Sequence, residues 1–144
     1  MSQYRFEILH PYTMIKIWDD LLPHIERVVA IGHGEFSAES IKQKVLNNRG
    51  FIIAVYEGDV IKAVNTAEVA VYDSGLRSLL IPIFAGDGLR DWGPEWLEIQ
   101  RGIAIYFDCK EIRGFAVRDG WERILKDYNF KTTYSVITMP VGEE

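Results

Sequence analysis

The chain has 144 residues, 48% apolar and 26% charged, with a formal net charge of −5. That balance belongs to a globule with a real core, expected as a single domain over residues 1–144. The negative charge argues against a broad nucleic-acid surface, which needs surplus Lys and Arg to neutralise phosphates, and no apolar run has the length of a membrane span.

The opening residues carry neither the basic nor the apolar region of a secretion signal. A lone cysteine, Cys109, forms no internal disulfide, so an intracellular setting is expected. Cys109 reads as a buried thiol at a helix end, because no His or Asp follows it in a nucleophilic constellation.

In chain order, Tyr4-Arg5-Phe6-Glu7-Ile8 alternates apolar and polar residues and predicts a short half-buried strand. Pro11 suits a first helical position. Apolar residues then recur at helical spacing through Met14, Ile15, Trp18, Leu21, Leu22, Ile25, Val28 and Val29, with Pro23 expected to kink or split the helix. Gly32 and Gly34 end it. Ser37 is placed to N-cap a short helix carrying Ile41, Val45 and Leu46, which stops at Asn47-Asn48-Arg49-Gly50.

Strands are predicted over residues 51–56, 60–71 and 79–84, joined by turns at Glu57-Gly58-Asp59 and Asp73-Ser74-Gly75. A helix is expected to begin near Trp92-Gly93-Pro94, with Trp96, Ile99, Ile103, Tyr106 and Phe107 on its buried stripe. Residues 111–117 read as a strand. Asp119-Gly120-Trp121-Glu122 is a capping box opening a helix that buries Trp121, Ile124, Leu125 and Tyr128, with Asn129 in the left-handed position that ends it. Residues 131–141 are the expected closing strand. The order β-α-α-β-β-β-α-β-α-β predicts an α/β domain, its mixed and mostly antiparallel sheet covered by helices on both faces.

This order, with Tyr128-Asn129-Phe130 ending a helix before the last strand, resembles the GNAT family of N-acetyltransferases. More narrowly it is similar to phage-encoded GNAT-like proteins. Those share a strand running into a glycine-containing turn (Phe84-Ala85-Gly86-Asp87-Gly88), a following Trp (Trp92 or Trp96) and Arg-x-Gly-Trp-x-x-x-Leu (Arg118 to Leu125). The resemblance is strongest over residues 77–141. It implies the fold, and with it acetyl-CoA as donor and an amine as acceptor in those members that are enzymes.

In enzymes of this fold the cofactor pyrophosphate meets a helix N-terminus through a loop of the form R/Q-x-x-G-x-G/A. Several backbone N–H groups must converge there, and small residues must let the backbone close in. The equivalent stretch runs from Gly86 to Trp96, so the cofactor-binding candidates are Phe84, Gly86, Gly88 and Arg90. Against them stand Pro94, which lacks a donor, and the carboxylates of Asp87, Asp91, Glu95 and Glu98. The resemblance also places Leu125 where many such enzymes carry a Tyr that protonates the leaving thiolate. Tyr128, one turn later, is a general-acid candidate or a core aromatic. Pro82 marks either the splay that admits a pantetheine arm or a plain gap in the ladder.

Two further catalytic candidates are His33, in the loop Gly32-His33-Gly34-Glu35, and Glu68, on a strand that can face an acceptor cleft. Each has an ordinary alternative, a solvated loop and an exposed strand position. The histidines His10, His24 and His33 have no metal-ligand spacing. Trp92, placed in a loop where an exposed indole is costly, is the candidate interaction anchor.

Sequence reasoning therefore leads with a non-catalytic phage protein that has lost its cofactor. It would bind other proteins, among them other phage proteins, in the host cytoplasm or in association with the virion. The alternative is a divergent acyl-CoA-dependent N-acetyltransferase acting on a small-molecule or protein amine.

Overall fold

The computed structural model describes residues 3–82, 84–86 (backbone only), 88–115 and 125–142. The elements run β1 (Tyr4–Ile8), α1 (Pro11–Lys16), α2 (Trp18–Ile31), α3 (Ala38–Leu46), β2 (Phe51–Glu57), β3 (Val60–Val71), β4 (Arg77–Ile81), β5 (Phe84–Gly86), α4 (Leu89–Tyr106) and β6 (Glu111–Gly114). The sheet order is β1-β2-β3-β4-β6, with β5 also on β3. All pairs are antiparallel except β4 with β6.

Strand β2 shows why the sheet is covered on both faces. Ile52, Ile53 and Ala54 are each fully buried, yet successive side chains of a strand point to opposite faces. Ile52, Ala54 and Tyr56 pack with Met14, Leu21, Ile25, Val28, Ile41 and Val45 from the first three helices. Ile53 and Val55 pack instead with Leu79, Ile81, Trp92, Trp96 and Ile103. An unbroken apolar run is what two covered faces require.

Helix ends follow local chemistry. Pro11 occupies the first turn of α1, and the Ser37 and Ser40 side chains cap each other's backbone N–H groups to open α3. At the other end of the chain Asn129 takes φ +72°, and the Phe130 N–H donates to the Leu125 carbonyl at 3.1 Å. That is the left-handed stop expected of Asn129.

Several boundaries differ from expectation. The split in the first helical stretch falls at Ile17 (φ −110°, ψ 17°), and Pro23 sits inside a continuous α2. Helix α4 starts at Leu89, ahead of Pro94, which lies inside it. Starting there puts Trp92 and Trp96 on one stripe. Each indole takes on the order of 200 Å² out of water, about 5 kcal/mol gross, which exceeds the ~3 kcal/mol cost of an internal proline. The strand expected over residues 79–84 breaks at Pro82 into β4 and β5. Residues 131–141, the expected closing strand, join no ladder among the described residues, and every one is exposed. Strand propensity supplies no partner. Asp119, Trp121, Glu122 and Ile124 fall outside the described residues.

Candidate functional site

The break at Pro82 organises the site. Strand β3 pairs with β4 from Glu68↔Leu80 to Val71↔Arg77, then with β5 from Asn65↔Phe84 to Ala63↔Gly86. Continuing the first register sets Thr66 opposite Pro82, and the change of register leaves one extra residue on the β4–β5 side, a bulge. The Ile52 carbonyl accepts from the Leu9 N–H at 2.9 Å, so Ile52 faces β1. Thr66, opposite Ile52, therefore turns its backbone away from β2 and toward Pro82. Proline has no N–H to offer the Thr66 carbonyl. Asn65 Nδ2 donates to it at 3.3 Å instead.

Asn65 anchors a buried polar cluster that the sequence reading passed over. Trp96 Nε1 donates to Asn65 Oδ1 at 2.9 Å, and Gln100 Nε2 approaches the same oxygen at 3.4 Å. Gln100 Oε1 is buried without a hydrogen-bond partner among the described residues. The available signal was an Asn and a Gln at core-facing positions of otherwise apolar stripes.

Beyond the same break, β4 and β6 run parallel only from Ser78↔Glu111 to Ile81↔Gly114, and Phe115 is already outside the ladder. On the helix α3 side, a pocket of about 40 Å³ is lined by Ser40, Lys44, Phe51, Thr66, Glu68 and Pro82. Glu68 thus faces a cavity, with Lys44 Nζ 2.8 Å from its Oε1. That ion pair is half-exposed and contributes only about 0–1 kcal/mol, so an incoming ammonium group can displace the lysine at little cost. Lys44 was not a sequence candidate; no motif marks a lysine that meets its partner only through packing of α3 on β3.

The candidate cofactor residues lie just beyond. Phe84 and Gly86 are in β5, paired with Asn65 and Ala63. Gly88 is the N-cap of α4 at φ +84°, where a Cβ would also come within 3.2 Å of Trp92 Nε1. The N-cap residue is a glycine and makes no side-chain cap, so the first turn presents backbone N–H groups and the positive end of the dipole. Arg90 is in that first turn, its guanidinium 3.9 Å from Asp127.

Two sequence arguments against an anion here need correction. Pro94 is not at the helix start, so it removes no donor there. Glu95 and Glu98 lie roughly 9 and 14 Å along the axis from Leu89, past the reach of the dipole end, and Glu98 meets Arg101 at 3.4 Å. Asp91 is the described carboxylate of the first turn, while Asp87 falls outside the described residues.

Trp92 is corrected as well. It is a helical residue only 4% exposed, edge-on to Trp96 at 6.3 Å between ring centroids, and cannot anchor a surface partner. Tyr128 is part-buried, its ring edge against Gly93 in α4. Its hydroxyl therefore sits at the Gly88 end of that helix, about 7.5 Å along the axis from the N-cap. Leu125 is 5% exposed in the core. His33 is exposed in its loop; its backbone N–H donates to Glu35 Oε1 at 2.6 Å, the main reason that carboxyl is held below its ordinary value. The loop reaches the pocket through Phe36. Burial pushes the Cys109 thiol up, which matches an inert cysteine. Among the described residues no cluster of His, Cys, Asp and Glu can hold a metal, and no helix is long and apolar enough to cross a membrane.

A sheet broken at this point, a parallel pair that ends there and a helix starting beside it define the GNAT acetyltransferase fold, and solved structures bear this out. An aminoglycoside acetyltransferase from an uncultured soil metagenomic sample, solved with sisomicin, superposes with a TM-score of 0.71 at 15% identity, covering 98% of this chain and 97% of its own. A predicted acetyltransferase from Clostridium acetobutylicum, solved with acetyl-CoA, gives 0.67 at 12% identity, with 96% of both chains covered. The ribosomal-protein-alanine N-acetyltransferase of Brucella melitensis biovar Abortus 2308 gives 0.68 at 10%, covering 95% and 98%. No protein-family model matches the chain, and no curated protein matches it in sequence. Similarity at such identities defines the fold alone.

Proposed function

We propose that the chain is a divergent acyl-CoA-dependent N-acyltransferase that takes an amine at the Lys44–Glu68 pocket. The observation that carries this reading is the ladder break at Pro82, which lies beside a small, mostly apolar pocket holding the Lys44–Glu68 pair and just ahead of the start of α4. A donor diphosphate fits the helix start: the N–H groups of the first turn and Arg90 would hold it, and Gly88 lets the backbone approach. Acetyl-CoA would supply an activated thioester.

The chain's own residues do the rest. Glu68 exchanges Lys44 for the substrate ammonium, orients it, and takes its proton so that the neutral amine can attack. The buried Thr66 and the part-buried Phe51 beside the pocket limit water. Tyr128, whose hydroxyl lies against Gly93 toward the Gly88 end of α4, would return a proton to the departing sulfur.

A second reading, a non-catalytic phage protein acting as an interaction or virion-associated component, is favoured by Leu125, a buried aliphatic where the resemblance implies an acid. Thermal melting separates the two. Acetyl-CoA at about a hundredfold excess over its Kd should stabilise the fold by ~2.7 kcal/mol, a rise of several degrees. An unshifted melt, with no thiol released from acetyl-CoA across a panel of amines, overturns the enzymatic reading.

A further inference from the structure

We propose that the Lys44–Glu68 pocket takes a zwitterion, a small apolar α-amino acid, with its ammonium on Glu68 and its carboxylate on Lys44. The proposal rests on the amine site described above and names the class of acceptor that this site selects. Lys44 Nζ lies 2.8 Å from Glu68 Oε1, and both residues line the same pocket. Among the described residues they are its only charged groups.

The pocket therefore carries one cation, one anion and no net charge. A simple alkylammonium that takes Glu68 leaves Lys44 unpaired beside a second positive charge, which Coulomb repulsion disfavours. A simple carboxylate that takes Lys44 strands Glu68 in the same way. An α-amino acid brings one charge for each, so the internal pair is exchanged for two pairs with the ligand. Its ammonium and carboxylate sit on one carbon, which suits two partners already in contact. The flexible four-carbon stem of the lysine supplies the small retreat needed, and separating a half-exposed pair costs little.

Local structure holds both charges on the pocket wall. Thr66 lies opposite Ile52, which packs against the first three helices, so Glu68, two residues on, faces the same side. On α3, Ile41, Lys44 and Val45 share one helical face, and the buried Ile41 and Val45 fix that face on the sheet. Ser40 is already engaged: its Oγ accepts from the Ser37 N–H and donates to the Ser37 carbonyl, both at 2.8 Å. The rest of the wall is mostly apolar, with Phe36, Ile41, Val45 and Pro82. A volume of about 40 Å³ has room for about three or four water-sized groups. It accepts a side chain of a few carbons and excludes an aromatic ring or a polycationic sugar.

Titration calorimetry on the full chain compares L-valine with isobutylamine and isovalerate, which are valine without its carboxylate and without its amine. No acyl donor is present, so the readout is binding alone. Valine should bind at least about tenfold more tightly than either analogue. Lys44→Met should weaken valine about tenfold and tighten isobutylamine, whereas Glu68→Gln should weaken both. Isobutylamine bound as tightly as valine overturns the proposal. So does a valine affinity indifferent to Lys44→Met, or no valine binding at tens of millimolar. Thiol release from acetyl-CoA with isobutylamine but not with valine overturns this proposal alone. Valine that binds in the predicted order yet releases no thiol supports the site and overturns only the transferase reading.

Discussion

The ring edge of Tyr128 lies against the backbone of Gly93, so close that a Cβ at position 93 would fall 2.6 Å from the hydroxyl oxygen and 3.0 Å from the carbon bearing it. The contact joins the end of the last helical turn to α4 and leaves no room for any other residue at 93. Alanine in a helix interior is ordinarily better than glycine by about 1 kcal/mol. Here the overlap with a rigid ring costs about 1–3 kcal/mol and wins. Gly93→Ala should therefore lower the urea midpoint, and Tyr128→Leu in the same chain should recover most of the loss. A more stable Gly93→Ala would refute the contact.

Asn65 and Gln100 are both buried, yet their removal should have opposite consequences. Asn65→Ala strips the partner from the Trp96 indole N–H and from the Thr66 carbonyl, two buried groups that each cost about 1–3 kcal/mol when unsatisfied. Gln100→Met removes an oxygen that has no partner and only a long 3.4 Å bond. It should be neutral or stabilising by on the order of 1 kcal/mol. Denaturant melts of the two variants are a direct comparison, and equal losses would contradict the assignment.

Glu68→Gln keeps the size of the side chain while removing the base and the partner of Lys44. If Glu68 takes the amine proton, kcat/KM should fall about 10²–10⁴-fold with the melting temperature unchanged, since the ion pair is half-exposed. Lys44→Met should act in the other direction on binding, lowering KM for a cationic amine. Rates equal to the parent in Glu68→Gln would remove it from the mechanism.

Acid should weaken the β4–β6 pair. The Ser78 hydroxyl donates to the Glu111 carboxylate across that pair, and this bond first, then Arg113 Nε at 2.7 Å, holds the Glu111 carboxyl below its ordinary value of 4.5. A depressed value in the folded state means stability that is present above 4.5 and lost as pH falls through the folded value. Ser78→Ala should flatten that acid-side slope in urea midpoints measured against pH. An unchanged slope would show that the bond does not hold the carboxylate.

Element types were legible where periodicity and caps agreed. Ser37 with Ser40, Pro11, and the turns around Gly58 (φ +63°) and Gly75 (φ +90°) impose local geometry that no distant contact needs to supply. Helix α4 shows the limit: Pro94 suggested a start, but burial of Trp92 and Trp96 set it earlier at Gly88. Of the candidate site residues, Glu68 was legible as a strand carboxylate. Its partner Lys44, 24 residues earlier, was not, because helix α3 reaches β3 only through the packing of Ile41 and Val45.

The sequence by itself determined the alternation of strands and helices and the left-handed stop at Asn129, since these depend on side-chain period and on local backbone energy. Tertiary structure alone decided where the ladder breaks, which carbonyl Pro82 leaves to Asn65, which residues surround Glu68, and that residues 131–141 pair with no strand among the described residues. Hydrogen-bond partners and cavities are properties of segments brought together, and no single segment encodes its neighbour.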